Sequence, residues 1–126
     1  MMADFSYSVA TGRFYREAPF AFIETGYSGA PGYINDPAAI RIVRRGPLPF
    51  GLYRILPPQR HPRLGPVALG LEMVEGNAFG RSGFFIHGDN AKGDRSASEG
   101  CIVLSRNARQ LVAAAVAEGA DRLLVV

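Results

Sequence analysis

The sequence contains very little cysteine and histidine and no long apolar run. Its 126 residues include one cysteine, Cys101, and two histidines, His61 and His87. One cysteine excludes an internal disulfide. Two histidines and one cysteine without a close ligand pair exclude the usual zinc spacings, so we expect no metal and no cofactor. The longest apolar run, 111–117, is too short to cross a bilayer.

The chain also lacks a concentrated charge of either sign. Lys and Arg number 14 against 11 Asp and Glu, a net charge of +3. Without a basic run interleaved with aromatic residues, nucleic acid is not an expected partner. The small excess suits an anionic polymer such as a bacterial cell wall, and ordinary solubility equally well. Residues 1–14 lack the basic and apolar regions of a signal peptide, so we expect synthesis in the cytosol without one.

Composition and patterning predict one mainly-β domain over residues 1–126. Apolar residues make up 48% of the chain, which is enough for a core at this length. Short alternating stretches bounded by Gly and Pro predict strands. These are 5–10, 13–15 leading into 20–24, 52–56, 67–74, 82–87 and 121–126. The segments 26–32, 44–51, 57–66 and 75–83 are predicted as loops or turns.

Two helices are predicted from capping signals. Asn35-Asp36-Pro37 places proline at the first helical position of a short helix over 37–42. Ser105 is a suitable N-cap for the one main helix, about 106–118, and Gly119 a suitable C-cap. The pattern places four apolar residues on one face of the main helix: Leu111, Val112, Ala115 and Val116.

The stretch Phe84–Leu104, FFIHGDNAKGDRSASEGCIVL, contains the residues with the strongest chemistry. An apolar run leads into His87 and another follows Cys101, with a polar loop between them. This pattern predicts two strand ends that bring a base to a nucleophile, since an imidazole can generate a thiolate at neutral pH. Each residue alone has a structural alternative: a small buried cysteine and a hydrogen-bonded strand-end histidine. His61 is predicted to be a solvated loop residue.

Neighbours of the pair suggest supporting roles. The Gly88 carbonyl can accept the His87 Nδ1–H and leave Nε2 free for sulfur. Gly100 allows close approach of a substrate carbonyl, and the amides around Gly100 and Cys101 can form an oxyanion hole. Ser98 can hydrogen-bond either the loop or the substrate.

These motifs resemble the L,D-transpeptidase (YkuD-type) superfamily, whose signature is a histidine, a loop and Ser/Thr-His-Gly-Cys. Here the second part is SEGC, 98–101, and GPLPFGLYRI, 46–55, is similar to the superfamily's Gly-Pro-x-Pro-x-Gly-x-Tyr segment. The closest likeness is to small type VI secretion effectors with an L,D-transpeptidase-like domain. It rests on TGYSG (25–29), GRSGF (80–84), IHGD (86–89) and S-x-GCI-L (98–104). Glu99 replaces the signature histidine, the loop is shorter, and Val103 replaces a residue that is often polar.

The resemblance implies a β-sandwich or barrel-like fold and a cysteine acyltransferase acting on peptidoglycan tetrapeptide stems through a thioester. It implies catalytic roles for Cys101, His87, Gly88 and Ser98, and substrate contacts at Asp89, Arg106 and Tyr27. Water as acceptor gives L,D-carboxypeptidase activity, a D-amino acid gives exchange, and a second stem gives a cross-link. The implied partners are the type VI secretion apparatus and a cognate immunity protein, with action in the periplasm of target bacteria.

Two other functions remain open from the sequence. One is a different cysteine peptidase of the cell wall, such as a papain-like amidase, although that type usually places its cysteine on a helix and before the histidine. The other is a non-catalytic module that binds the wall or a partner, with the apolar flanks of Cys101 serving only as core.

Overall fold

The computed structural model describes residues 3–126, so Met1 and Met2, the start of the predicted domain, lie outside it. The described chain is mainly β, as predicted. Its strands are β1 Phe5–Tyr7, β2 Arg13–Glu17, β3 Phe20–Thr25, β4 Tyr27–Ser28, β5 Gly51–His61, β6 Gly65–Gly76, β7 Phe84–His87, β8 Ile102–Val103 and β9 Arg122–Val125. The helix α1 spans Arg106–Ala117, and Pro37–Ala39 form a 3₁₀ turn. No helix among residues 3–126 is long and apolar enough to cross a membrane.

All the described strands belong to one mixed sheet. Their order is β3-β2-β1-β9-β5-β6-β7-β8-β4. The pairs β1–β9 and β7–β8 are parallel, and the other pairs are antiparallel. Parallel neighbours cannot be joined by a tight turn. The segment between β7 and β8 is therefore a long loop, and it forms one wall of the site described below.

The helix α1 packs against β5 and β6 and closes the core. The Ser105 hydroxyl accepts the Ala108 N–H at 3.2 Å, which confirms the predicted N-cap. Ala108, Val112 and Ala115 are buried, but the prediction for Leu111 is wrong because this side chain is 45% exposed. The buried face of α1 also includes Arg109, so it is turned away from Leu111.

The predicted loop over 57–66 is wrong, because β5 and β6 form a long hairpin there with its turn between His61 and Gly65. The prolines of this segment argued against a strand. The ladder tolerates them because its register shifts between Ile55 and Pro58 and again between Gln59 and His61. At such bulges a missing backbone N–H costs no ladder hydrogen bond.

Two shorter segments also differ from the prediction. The predicted loop 26–32 contains β4, which pairs with β8. The predicted helix over 37–42 is a single 3₁₀ turn, Pro37–Ala39, whose Asp36 side chain accepts the Ala38 N–H at 3.0 Å. The predicted helix start at Asp36-Pro37 is therefore confirmed, but the residues after Ala39 do not continue a helix.

Candidate active site

A cleft of about 690 Å³ opens beside the ends of β7 and β8. His87 and Cys101 both line it, together with Gly88, Asp89 and Gly100. The structure thus brings together five of the residues that the sequence singled out. The cleft has room for a peptide-sized ligand.

The parallel register of β7 and β8 brings His87 and Cys101 close together. Ile86 pairs with Ile102, and His87 pairs with Val103. Cys101 directly precedes β8, so the same register places it beside Phe85. Phe85 and His87 lie on one face of β7 because side chains alternate along a strand. The imidazole and the sulfur therefore lie on the same face of the sheet, His87 at the end of β7 and Cys101 just before β8.

The imidazole of His87 is buried and held in one orientation. Its side chain is 2% exposed, and Nδ1 lies 2.8 Å from the Gly88 carbonyl oxygen. A carbonyl can only accept, so Nδ1 carries the proton and Nε2 keeps its lone pair. Burial lowers the pKa of His87, and the charges of Arg109 and Arg63 lower it further, against the opposing effect of the Gly88 hydrogen bond. The ring is therefore neutral at pH 7.

The thiol of Cys101 is also neutral at rest. Burial raises its pKa to about 11, although the Phe85 N–H and the charge of Arg63 act in the opposite direction. Sγ lies 3.9 Å from the Gly83 carbonyl oxygen, and within residues 3–126 it makes no hydrogen bond to His87. The pair at rest is thus a thiol and a neutral imidazole, and not a thiolate–imidazolium pair. A proton must move from sulfur before sulfur can act as a nucleophile.

Iodoacetamide alkylation of Cys101 tests this protonation state, since it is the only cysteine. With a pKa of about 11, roughly one thiol in ten thousand is ionised at pH 7. After allowing for the greater nucleophilicity of a basic thiolate, we expect alkylation at least about tenfold slower than that of a cysteine-containing peptide. The rate constant should rise about tenfold per pH unit between pH 8 and 10. A plateau below pH 8 that disappears in His87→Ala would instead indicate an ion pair.

The loop before Cys101 is held by Ser98, for which the sequence predicted a bond to either the loop or the substrate. Ser98 is 1% exposed, and its hydroxyl donates to the Cys101 carbonyl at 2.7 Å. The same oxygen accepts the N–H groups of Gly29 at 3.0 Å and Gly100 at 3.1 Å. A serine hydroxyl has one proton and two lone pairs, so its capacity is used. Ser98 orients the loop and has no bond left for a substrate.

The same contacts change the predicted oxyanion hole. The Gly100 N–H already donates to Ser98, so the Gly100 amide is not free for a substrate oxygen. The structure also gives a second reason for a glycine here. A Cβ on Gly100 would lie 2.3 Å from Nη2 of Arg81, and its φ of +133° disfavours other residues. Gly100 therefore makes room for the arginine, while it also lines the cleft.

Arg81 is a site residue that the sequence did not identify. It is 7% exposed and donates to the carbonyl oxygens of Ile40 at 2.6 Å, Pro47 at 2.7 Å and Gly46 at 2.9 Å. Within residues 3–126 it has no carboxylate partner. Its cation therefore adds uncompensated positive charge behind Gly100 and Cys101, and this charge lowers the pKa of the thiol. The only local sequence feature that could have marked Arg81 as a site residue is its position in the motif GRSGF, 80–84.

Arg109 occupies the equivalent position behind the base. It is 7% exposed, and its Nη1 donates to the Pro66 and Val67 carbonyl oxygens at 2.8 and 3.2 Å. A Cβ on Gly88 would lie 2.6 Å from Nη2 of Arg109, so Gly88 makes room for the guanidinium as well as offering its carbonyl to His87. Its Nε also donates to the nearby Leu104 and Ser105 carbonyl oxygens at 3.1 and 3.3 Å. The contacts with Gly88 and with the distant β5–β6 hairpin leave no mark in the local sequence.

Tyr27, a predicted substrate contact, is buried, and its hydroxyl is bonded within the protein. Its hydroxyl donates to Asp89 at 2.8 Å and accepts the Ala97 N–H at 3.0 Å. Burial is the main reason that its pKa is raised to about 12. Tyr27 thus connects the two ends of the loop between β7 and β8. Asp89 also accepts the Asn90 N–H at 2.9 Å, and it lines the cleft, so its role in substrate binding stays a prediction.

Arg106, another predicted substrate contact, does not line this cleft. Arg106 is exposed at the start of α1 and lines a separate cavity of about 550 Å³ with Glu24 and Arg95. The arginines that line the cleft with Cys101 are Arg44, Arg63 and Arg81.

Residues 3–126 hold no group of three His, Cys, Asp or Glu side chains arranged to bind a metal ion.

Comparison with known proteins identifies one family. The family model described as the Tlde1 domain matches residues 23–126. No curated protein and no solved structure matches the chain significantly.

Proposed function

The chain belongs to the Tlde1 domain family of type VI secretion L,D-transpeptidase effectors, and from this premise we propose that it is a cysteine acyltransferase of peptidoglycan stem peptides. One observation carries the proposal. A single peptide-sized cleft holds the only thiol of the chain and an imidazole whose Nδ1 is fixed on a carbonyl oxygen.

The reaction begins with proton transfer, because both groups are neutral at rest. Nε2 of His87 removes the proton from Sγ of Cys101, and the thiolate attacks the carbonyl carbon of the third stem residue. The tetrahedral intermediate then collapses. The bond to the terminal D-alanine breaks, and the His87 imidazolium gives its proton to the departing amine. The products of this half-reaction are free D-alanine and a thioester on Cys101.

Two arginines near the pair favour the charged intermediates, against the opposing effects of burial and of Glu99. Arg63 and Arg81 add positive charge that lowers the pKa of Cys101. The same charge stabilises a thiolate and an oxyanion in a partly dehydrated cleft. Since the Gly100 amide is bonded to Ser98, the Cys101 amide is the remaining candidate from the predicted oxyanion hole.

The acceptor decides the second half-reaction. Water, deprotonated by His87, releases a tripeptide stem and restores the thiol. A D-amino acid amine gives exchange, and the amine of a second stem gives a cross-link. Trimming and exchange both reduce the supply of tetrapeptide donors and weaken the wall of a rival cell. The site of action would be the target periplasm, with a cognate immunity protein protecting the producer.

Purified protein mixed with disaccharide-tetrapeptide muropeptides, with and without excess D-methionine, tests the proposal by mass spectrometry. We expect loss of the terminal D-alanine, and tetrapeptide carrying D-methionine when that acceptor is present. Cleavage within the stem at the γ-D-Glu bond would instead indicate an amidase. No change in any muropeptide would contradict the acyltransferase.

A non-catalytic wall-binding module is the second candidate, and two observations favour it. The thiol has a raised pKa, and within residues 3–126 it makes no hydrogen bond to His87. Wall binding unaffected by Cys101→Ser, together with unchanged muropeptides, would support this module. A mass increase on Cys101 equal to an acyl tripeptide would exclude it.

A further inference from the structure

The turn of the β5–β6 hairpin lies at the rim of the cleft, in a segment predicted from the sequence to be an exposed loop. Arg63 and Leu64, both in this turn, line the cleft together with His87 and Cys101. Arg63 is exposed, and within residues 3–126 it forms no ion pair. Its guanidinium is therefore available to a ligand in the cleft, whereas that of Arg81 is occupied by three carbonyl groups.

His61 holds this turn in place. Its Nδ1 accepts the N–H groups of Arg63 and Leu64, each at 3.1 Å. Its ring packs edge-on against Phe85, with ring centroids 5.1 Å apart. Phe85 is the β7 residue beside Cys101. A continuous set of contacts thus runs from the strand that carries the base, through His61, to the backbone of Arg63.

The charge of Arg63 acts on both reacting groups. It lowers the pKa of His87 and also the pKa of Cys101. Within the described chain, no other exposed cleft arginine affects both residues. Arg63 therefore lies near the place where the bond between the third and fourth stem residues would break.

We propose that Arg63 binds the terminal carboxylate of the stem peptide and thereby limits the enzyme to substrates that end one residue after the scissile bond. The inference rests on the proposed function. In a tetrapeptide stem the carboxylate carbon is two bonds from the scissile nitrogen, so the group that binds it must lie close to base and nucleophile. A guanidinium can bind a carboxylate through two parallel hydrogen bonds. In exchange, the same contact receives the carboxylate of the incoming D-amino acid.

The test compares two muropeptides, one with a free C-terminal D-alanine and one with its carboxamide. For the wild-type protein we expect kcat/KM to be about 10- to 100-fold higher on the free acid, the range for a hydrogen bond to a charged group. Arg63→Gln should reduce this preference to near one. Because Arg63 also adds positive charge near Cys101, kcat/KM on the carboxamide should fall as well, but by less than kcat/KM on the free acid. Arg63→Lys should restore part of the preference.

Arg60→Gln is the matched control, because Arg60 is exposed on β5 and does not line the cleft. It should keep the wild-type preference. His61→Phe keeps a ring against Phe85 but removes the acceptor of two N–H groups, so we expect an intermediate preference. Thermal unfolding of every variant checks that its fold is intact.

Failure of this inference can be told apart from failure of the proposed function. Two results would overturn the role of Arg63 alone. One is an active wild-type protein with no preference for the free acid over the carboxamide, and the other is an unchanged preference in Arg63→Gln. Calorimetric binding of both peptides to Cys101→Ala provides a readout without turnover. If Arg63→Gln in that background weakens binding of the free acid only, the carboxylate contact stands even if no reaction occurs. Equal binding of both peptides, with no turnover by the wild-type protein, would overturn both.

Discussion

Replacing Cys101 by alanine should abolish release of D-alanine from tetrapeptide muropeptides, with a loss in kcat of about 10⁴-fold or more. The reason is that Cys101 is the only thiol of the chain, whereas the hydroxyls of Ser82 and Ser96, which also line the cleft, are weaker nucleophiles at neutral pH. Ser98, the nearest hydroxyl in sequence, is 1% exposed and has its proton and both lone pairs engaged. The measurement is mass spectrometry of muropeptides at matched protein concentration. Full activity of Cys101→Ala would disprove the nucleophile assignment.

His87→Gln should give a similar loss at pH 7 but a different pH dependence. Without the base, hydroxide must remove a proton from a thiol with a pKa of about 11, so activity should rise with pH toward that value. In the wild-type protein the lowered pKa of His87 keeps the base form present below pH 6.5, so activity should persist there. Ser96→Ala is a suitable control, because Ser96 lines the cleft and its hydroxyl makes only exposed side-chain bonds. A pH profile of His87→Gln parallel to the wild type would contradict the role of His87 as base.

Replacing Arg81 by methionine should lower the free energy of unfolding by about 3–5 kcal/mol. The change removes the buried donor to three carbonyl oxygens, at Ile40, Gly46 and Pro47, and leaves these acceptors without their side-chain partner. A buried polar group without a partner costs about 1–3 kcal/mol. Urea unfolding of Arg81→Met against Arg60→Met, a change at an exposed arginine, measures the difference. Equal stability of the two variants would show that the carbonyls find other partners.

Gly100→Ala tests the close approach of Arg81 to the backbone of Gly100. The added methyl group would lie 2.3 Å from Nη2 of Arg81, an atom at the end of a side chain that three hydrogen bonds hold in place. We therefore expect Gly100→Ala to cost less stability in an Arg81→Ala background than in the wild type. The loss in free energy of unfolding that Gly100→Ala causes in both backgrounds measures the strain of alanine at a φ of +133°. Additive effects would mean that Arg81 and Gly100 do not interact in this way.

Several features could be predicted from the sequence because they depend on neighbouring residues. Ser105 begins α1 by bonding a backbone N–H three residues away. The apolar residues before His87 form a strand through their own propensity, and the Gly88 carbonyl is a neighbour of the imidazole that it contacts. The family assignment also depends on local motifs, since GRSGF, IHGD and S-x-GCI-L are short and contiguous. The match of the Tlde1 domain to residues 23–126 supports what those motifs indicated.

Most of what the sequence did not reveal concerns groups whose partners are distant along the chain. The hydroxyl of Ser98 looks the same in sequence whether it faces a substrate or the Gly29 amide, which is 69 residues away. Arg106 was predicted to contact the substrate, but the direction of α1 places it in another cavity. The prolines of 57–66 predicted a loop because the bulges that accommodate them depend on pairing with β6.

The sequence by itself thus determined the mainly-β class, the capped helix, and the identity of the thiol and imidazole, because short-range chemistry specifies each of them. The tertiary structure alone decided how these groups are used. The parallel register of β7 and β8 brings Cys101 to the face of His87, and burial in their shared cleft makes both groups neutral. Folding also brings Arg81 and Arg109 behind the pair and Arg63 to its rim. Hydrogen bonding, desolvation and charge act through space, so their effects at this site depend on contacts that residue order does not reveal.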